Sequence, residues 1–198
     1  CSEPAATSQR TTLHGPTMGT RWSVSLDAHA SLDLTTLHQD LAAAVQQVDE
    51  QMSPWKPTSD LVRLNQAPVD TWVDLPAELL EVLDCALEVQ RLSGGAFDAG
   101  VGALVDAWGF GAVRDAPDAA AIRAARQPMP PTEKGHLELD RPEGRARKHA
   151  PVQMDLCGIA KGYAVDRMVT VLQQHGVRHA LATVDGELRA LGSQASGA

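Results

Sequence analysis

Polar and apolar positions alternate one by one along TRWSVSLDA, where Trp22, Val24 and Leu26 are set against Arg21, Ser23 and Ser25. That period of two predicts a half-buried strand opening a sheet. From Leu34 to Met52 the apolar residues Leu34, Leu37, Leu41, Val45, Val48 and Met52 recur at intervals of three and four, which predicts a helix with one apolar face. A second helix has Pro76 in its first turn, Leu79, Leu80, Leu83, Ala86 and Leu87 along one side, and Gly94-Gly95 as its stop. Residues 112 to 135 predict a short Ala-rich helix and then a Pro-rich loop, QPMPPTEKG. HLELD and RKHAPVQMDL predict two strands. A third long helix is predicted over AKGYAVDRMVTVLQQHG, from about Ala160 to Gly176, with Ala164, Met168, Val171 and Leu172 on its apolar side. HALATV and ELRALG predict a closing hairpin around Asp185-Gly186. Strands and helices follow no strict βαβ alternation, so the fold class is α+β, with mixed or antiparallel sheets packed with helices.

Composition narrows the functions. A chain of 198 residues can build one substantial core, and one domain is expected over 16–198. A net charge of -8, with no basic stripe, argues against nucleic acid as a partner. No apolar run has the length needed to cross a bilayer. Cys1 followed by the Ala/Ser/Thr/Pro-rich CSEPAATSQRTT reads as the tether of a bacterial lipoprotein over residues 1–15. On that reading the chain is lipid-anchored at Cys1 on the outer, periplasmic side of a membrane. The other reading is a sequence cut at an arbitrary point. Cys85 lies in an amphipathic pattern and is expected to fill core. A Cys85 to Cys157 bridge stays open, since two cysteines do not make a framework.

Candidate chemistry lies in the loops. AFDAGVGALVDAWGFG sets Phe97, Trp108 and Phe110 among glycines in a chain that is only 4% aromatic. Glycine lets backbone approach a ligand and an aromatic supplies a flat face, so the stretch suits a planar ligand; a tight turn over a buried Trp108 would also produce it. In MSPWKPTSDLVRLN, Ser59 is placed to cap a short helix ahead of Leu61 and Leu64. Trp55 between two prolines would lose little entropy as a stacking platform. DLCGIAKGYAVD places a glycine-containing turn before a helix start, a setting that favours phosphate, with Lys161 adding charge. Neither a Walker loop nor G-x-G-x-x-G is present.

MGTRW, MSPWKPTSDLVRLN, GAFDAGVGALVDAWGFG and MDLCGIAKGYAVD, in that order, closely resemble the successive motifs of the ApbE family, the FAD:protein FMN transferases. The resemblance runs from about Pro16 to Gly192. It implies a T-fold-like α+β scaffold that binds FAD with Mg²⁺ at the diphosphate and moves FMN onto a Ser or Thr hydroxyl of a target protein, releasing AMP. It further implies flavin contacts from Met18 and Trp55, a cofactor-holding segment of Ala96, Phe97 and Asp98, and FAD contacts from Cys157 and Tyr163. Ala160 would give a carbonyl to the metal. Trp108 and Phe110 are then chiefly support, and Asp155 and Lys161 supply supporting electrostatics. The family's acceptors are typically subunits of membrane respiratory electron-transfer complexes. VDGELRALG departs from the family's GGE hairpin at Asp185. The family's later motifs, which supply side-chain metal ligands, have no counterpart, and HLELDRPEG does not replace them. The expectation is therefore a transferase lacking its C-terminal part, either truncated or a short homologue without catalysis. An FAD pyrophosphatase and a noncatalytic FAD-binding lipoprotein are the alternatives.

Overall fold

The computed structural model of the chain describes residues 9–111, 116–127 and 135–193. Its elements are β1 (Gln9–Thr17), β2 (Thr20–Ala28), α1 (Leu34–Met52), α2 (Asp60–Gln66), β3 (Val73–Asp74), α3 (Ala77–Leu92) and α4 (Gly102–Ala107). They continue with α5 (Ala119–Ala125), β4 (Leu137–Asp140), β5 (Arg145–Lys148), α6 (Cys157–Gln174), β6 (Ala180–Val184) and β7 (Glu187–Leu191). The chain divides into two compact units, Cys1–Asp49 with Lys161–Ala198, and Glu50–Ala160.

The first unit is built on an antiparallel sheet of order β1-β2-β6-β7. The alternation along β2 does what its period requires: Trp22, Val24 and Leu26 are all buried. Trp22 stands opposite Gly15 of β1 and Val184 of β6. A β-carbon at Gly15 would lie 2.7 Å from the indole Nε1, so only glycine admits this ring. The ring meets His38 of α1 at 5.2 Å between centroids. Asp33 starts α1 by accepting the N–H groups of Thr35 and Thr36 at 3.0 and 3.1 Å. Below it, Leu37, Leu41, Val45 and Val48 form the buried stripe. On α6, Ala164, Met168 and Leu172 do the same, and His175 beyond its end shares a 2.7 Å hydrogen bond with Asp40 of α1.

The second unit holds a small sheet of order β3-β5-β4. Its Arg145 and Arg147 stand over the Trp72 ring at 4.6 and 4.4 Å while pairing with Asp140 and Glu138. The core of this unit is aliphatic, with Leu61, Leu64, Leu79, Leu83, Ala86 and Leu156 buried.

Several expectations shift. β1 begins at Gln9, inside the stretch read as a tether; Cys1 lies outside the described residues. Much of the Pro-rich loop does too, and among the described residues of the preceding stretch Ala119–Ala125 is helical. The strand expected over RKHAPVQMDL stops at Lys148, because Pro151 has no N–H for a ladder. Beyond it only Gln153 makes a parallel bridge, to Val101. Pro76 is the N-cap of α3 rather than a first-turn residue. Cys85 is exposed and not core filling, since the buried stripe of α3 runs through Leu79, Leu80, Leu83 and Ala86 and turns position 85 outward. Neither Cys85 nor Cys157 is in a disulfide.

Candidate functional site

Three of the four motif segments close on one another inside the second unit. The loop after Met52 is tied by Ser59, whose hydroxyl donates to the Ser53 carbonyl at 2.7 Å and accepts the Val62 N–H at 3.1 Å. The first bond closes the SPWKPTS turn and the second caps α2. Trp55 is held on that turn, its backbone N–H donating to Ser53 Oγ at 3.2 Å, and the residue is 38% exposed.

Asn65 at the far end of α2 reaches the third segment. Its Nδ2 donates to the Met154 carbonyl at 2.9 Å and its Oδ1 accepts the Met154 N–H at 2.8 Å, satisfying both backbone groups of a buried residue. The Asn65 carbonyl accepts the Lys148 ammonium. Burial holds that ammonium below the usual lysine range.

The 96–111 segment lies flush against residues 152–155. Gly102 donates its N–H to the Gln153 carbonyl at 2.9 Å, and Asp155 donates its own to the Ala99 carbonyl at 2.7 Å. A β-carbon at Gly102 would come within 2.7 Å of the Gln153 oxygen, and one at Gly100 within 2.9 Å of Val152. These glycines serve backbone approach, as expected, but the partner is the chain's own backbone.

α6 begins at Cys157, three residues before the predicted start at Ala160. The cause is Asp155, whose carboxylate accepts the Cys157 N–H at 2.7 Å and so satisfies a helix-start donor before Gly158. Phe97 is half-buried with its ring edge toward this first turn: a β-carbon at Gly158 would lie 3.4 Å from Phe97 Cε2. Asp98 is exposed, and its Oδ1 accepts the Gly100 N–H at 2.7 Å.

The structure thus brings Trp55, Ala96, Phe97, Asp98, Cys157 and Ala160 into one unit; Met18 and Tyr163 belong to the other. There Met18 occupies the β1–β2 turn at φ 46, followed by Gly19 at φ 71, the two positive values that a tight primed turn demands. Asp185 keeps the β6–β7 turn at φ 56, where the family's glycine would be unstrained, and its carboxylate receives Lys161 at 2.5 Å. Lys161 is therefore a paired cation.

Trp108 and Phe110, expected chiefly as support, both lie at the surface, and Trp108 is not the buried residue of a tight turn. They are 42% and 70% exposed, and the Phe110 carbonyl accepts the Trp55 indole N–H at 3.2 Å.

Asn65 and Asp106 carry site geometry that sequence reading missed, and Asp155 carries more than it was given. An Asp two residues ahead of the first helical residue is a start signal that outranks the following glycine. Partial burial raises the Asp106 carboxyl above the usual carboxylate range, and the neighbouring Asp155 carboxylate adds to it. A raised carboxyl pKa means that the folded state favours the protonated form. Stability from this group is therefore full below the ordinary carboxylate pKa and is lost as pH rises through the raised value. Asp106→Asn is expected to raise the melting temperature near neutral pH and to match the parent near pH 3 in paired thermal melts; a constant offset across that range would refute the assignment.

The Ala160 carbonyl, the ligand the resemblance implies, would give Mg²⁺ only one of the six oxygens it takes. Among the described residues no three His, Cys, Asp or Glu side chains are grouped to hold a metal ion. These residues do not by themselves fit the ion. Among the described residues, no helix is long and apolar enough to cross a membrane.

The sequence model of the ApbE family matches residues 18–198. The FAD:protein FMN transferase of Haemophilus influenzae is 31% identical over 199 residues, covering 93% of this chain and 55% of that protein. The one from Klebsiella pneumoniae is 32% identical over 202 residues, covering 99% of this chain and 56% of the relative. The crystal structure of the Pseudomonas stutzeri flavinyl transferase ApbE, in its apo form, matches with a TM-score of 0.85 at 31% identity, covering 99% of this chain and 65% of that one. The flavin transferase ApbE from Vibrio cholerae matches with a TM-score of 0.84 at 29% identity, covering 96% of this chain and 62% of that one. The chain spans about half the length of the curated relatives it matches.

Proposed function

The chain belongs to the ApbE family, and on that premise we propose that it is the flavin-gripping part of an FAD:protein FMN transferase. The reaction moves FMN from FAD onto a Ser or Thr hydroxyl of a protein acceptor and releases AMP. The observation that carries this reading is the mutual closure of three motif segments: Asn65 on Met154, Gly102 on Gln153, and Asp155 on Ala99. Backbone-level closure of this kind fixes Trp55, Phe97 and the start of α6 relative to one another before any ligand arrives. That lowers the entropy cost of binding.

In the reaction the acceptor oxygen bonds to the FMN phosphorus while the bond from that phosphorus to the bridging oxygen breaks. AMP leaves with the electron pair, and the hydroxyl proton passes to solvent. Mg²⁺, held in part by the Ala160 carbonyl, would neutralise charge on the non-bridging oxygens. What the chain's own residues contribute is placement. Trp55 gives a flat face between rigid prolines, Phe97 lies beside the first turn of α6, and Asp98, fixed by the Gly100 N–H, accepts donors from the ribose or adenine. Holding the diphosphate in line with an incoming hydroxyl is the larger part of such catalysis. The acceptor class is a protein of membrane respiratory electron transfer.

Incubating the chain with FAD, Mg²⁺ and a candidate acceptor should add one FMN to the acceptor and one AMP to solution for each adduct, read by intact-mass spectrometry and chromatography. A full-length relative run alongside serves as positive control. AMP without an adduct would reassign the chain as an FAD pyrophosphatase, and bound FAD without AMP as a binding protein.

A further inference from the structure

α4 ends in a closed cap: the Gly109 N–H donates to the Asp106 carbonyl at 2.9 Å and the Phe110 N–H to the Val105 carbonyl at 3.1 Å, with Gly109 at φ 82. In this motif the residue at the Phe110 position ordinarily folds its apolar side chain back onto the last turn of the helix. Here it does not. Phe110 is 70% exposed, although the cap that would seat it is fully formed. A local rule broken inside an otherwise regular cap points to a use for the ring elsewhere.

Two further contacts show that this is a held position. The Phe110 carbonyl accepts the Trp55 indole N–H at 3.2 Å, so the turn and the indole orient each other. At Gly111 a β-carbon would overlap the Asp106 carboxylate, so the glycine lets the chain double back tightly against α4 just after Phe110. Trp55 itself is 38% exposed. The open Trp55 indole is therefore tied by one hydrogen bond to the backbone that carries the open Phe110 ring, 55 residues away in sequence, and the faces of both rings are left for a third partner.

We propose that Phe110 is a binding residue for the isoalloxazine ring and that the Trp55 N–H to Phe110 carbonyl bond is what positions it. The proposal rests on the flavin reading above and adds to it a residue otherwise expected only as support. A flat heteroaromatic ring stacks favourably on an aromatic face, and losing one such face is expected to weaken binding about tenfold, roughly 1.4 kcal/mol.

The test is a flavin-fluorescence titration of the full 198-residue chain with FAD and with FMN, and displacement by AMP. Phe110→Ala and Phe110→Leu are each expected to weaken FAD and FMN about tenfold, leaving AMP competition and the melting temperature unchanged. Phe110→Tyr should bind as the parent does. Trp55→Phe, which keeps a ring and removes the N–H, should weaken both flavins about threefold. Parent-like flavin affinity in both Phe110→Ala and Phe110→Leu overturns the proposal, as does a loss confined to AMP, which would put the adenine there instead. A parent chain that binds neither flavin removes the functional reading itself, and the role of Phe110 with it.

Discussion

Asn65→Ala is expected to lower stability by about 3 kcal/mol, because it leaves the N–H and the carbonyl of buried Met154 without partners and each such group costs about 1–3 kcal/mol. In a chain of this size that is a fall of roughly 6–12 °C in melting temperature. Asn65→Asp separates the two bonds: a carboxylate still accepts the Met154 N–H but presents an oxygen to the Met154 carbonyl, so only part of the loss should be recovered. FAD affinity is expected to fall with stability in both variants, since residues 153–157 lead into α6. A melting temperature within about 1 °C of the parent for Asn65→Ala would show that the side chain does not hold this strand.

Gly102→Val is expected to have an effect of similar size for the opposite physical reason, crowding in place of loss. The position lies against backbone, with the Gln153 oxygen 2.7 Å and its carbonyl carbon 3.0 Å from where a β-carbon would stand, and neither atom can rotate away. Overpacking of this kind costs roughly 1–3 kcal/mol, and a branched side chain belongs at the upper end. The contact is also the bond that fastens α4 to residues 152–155, so flavin binding should weaken along with folding. Gly162→Ala is the internal control. It lies within α6, nothing stands within 4 Å of its added carbon, and alanine is the better helix former by roughly 0.5–1 kcal/mol. Urea unfolding of the two variants should therefore move the midpoint in opposite directions; a shared direction would contradict the packing described.

Much of the fold was readable because its signals are short-range. Trp22, Val24 and Leu26 mark β2 by alternation, and Leu37 to Val48 mark α1 by helical spacing; both repeats are set by backbone geometry before any partner is known. Ser59 ahead of Leu61, and Asp185-Gly186 between two short strands, were equally local. The errors arose where a local rule had two outcomes. Gly158 looked like a turn until Asp155 supplied a cap that carried the helix through it. Cys85 sat near an apolar stripe, and only the buried face of α3 decided that it points to water.

The sequence by itself determined the family and most of the elements, because motif order and hydrophobic period are written in residues close together along the chain. Tertiary structure alone decided which groups meet: Asn65 with Met154 across 89 positions, Trp55 with Phe110 across 55, and Asp106 beside Asp155 with its ionisation held back. Those outcomes depend on burial and on distance through space, and neither quantity exists until the segments have packed.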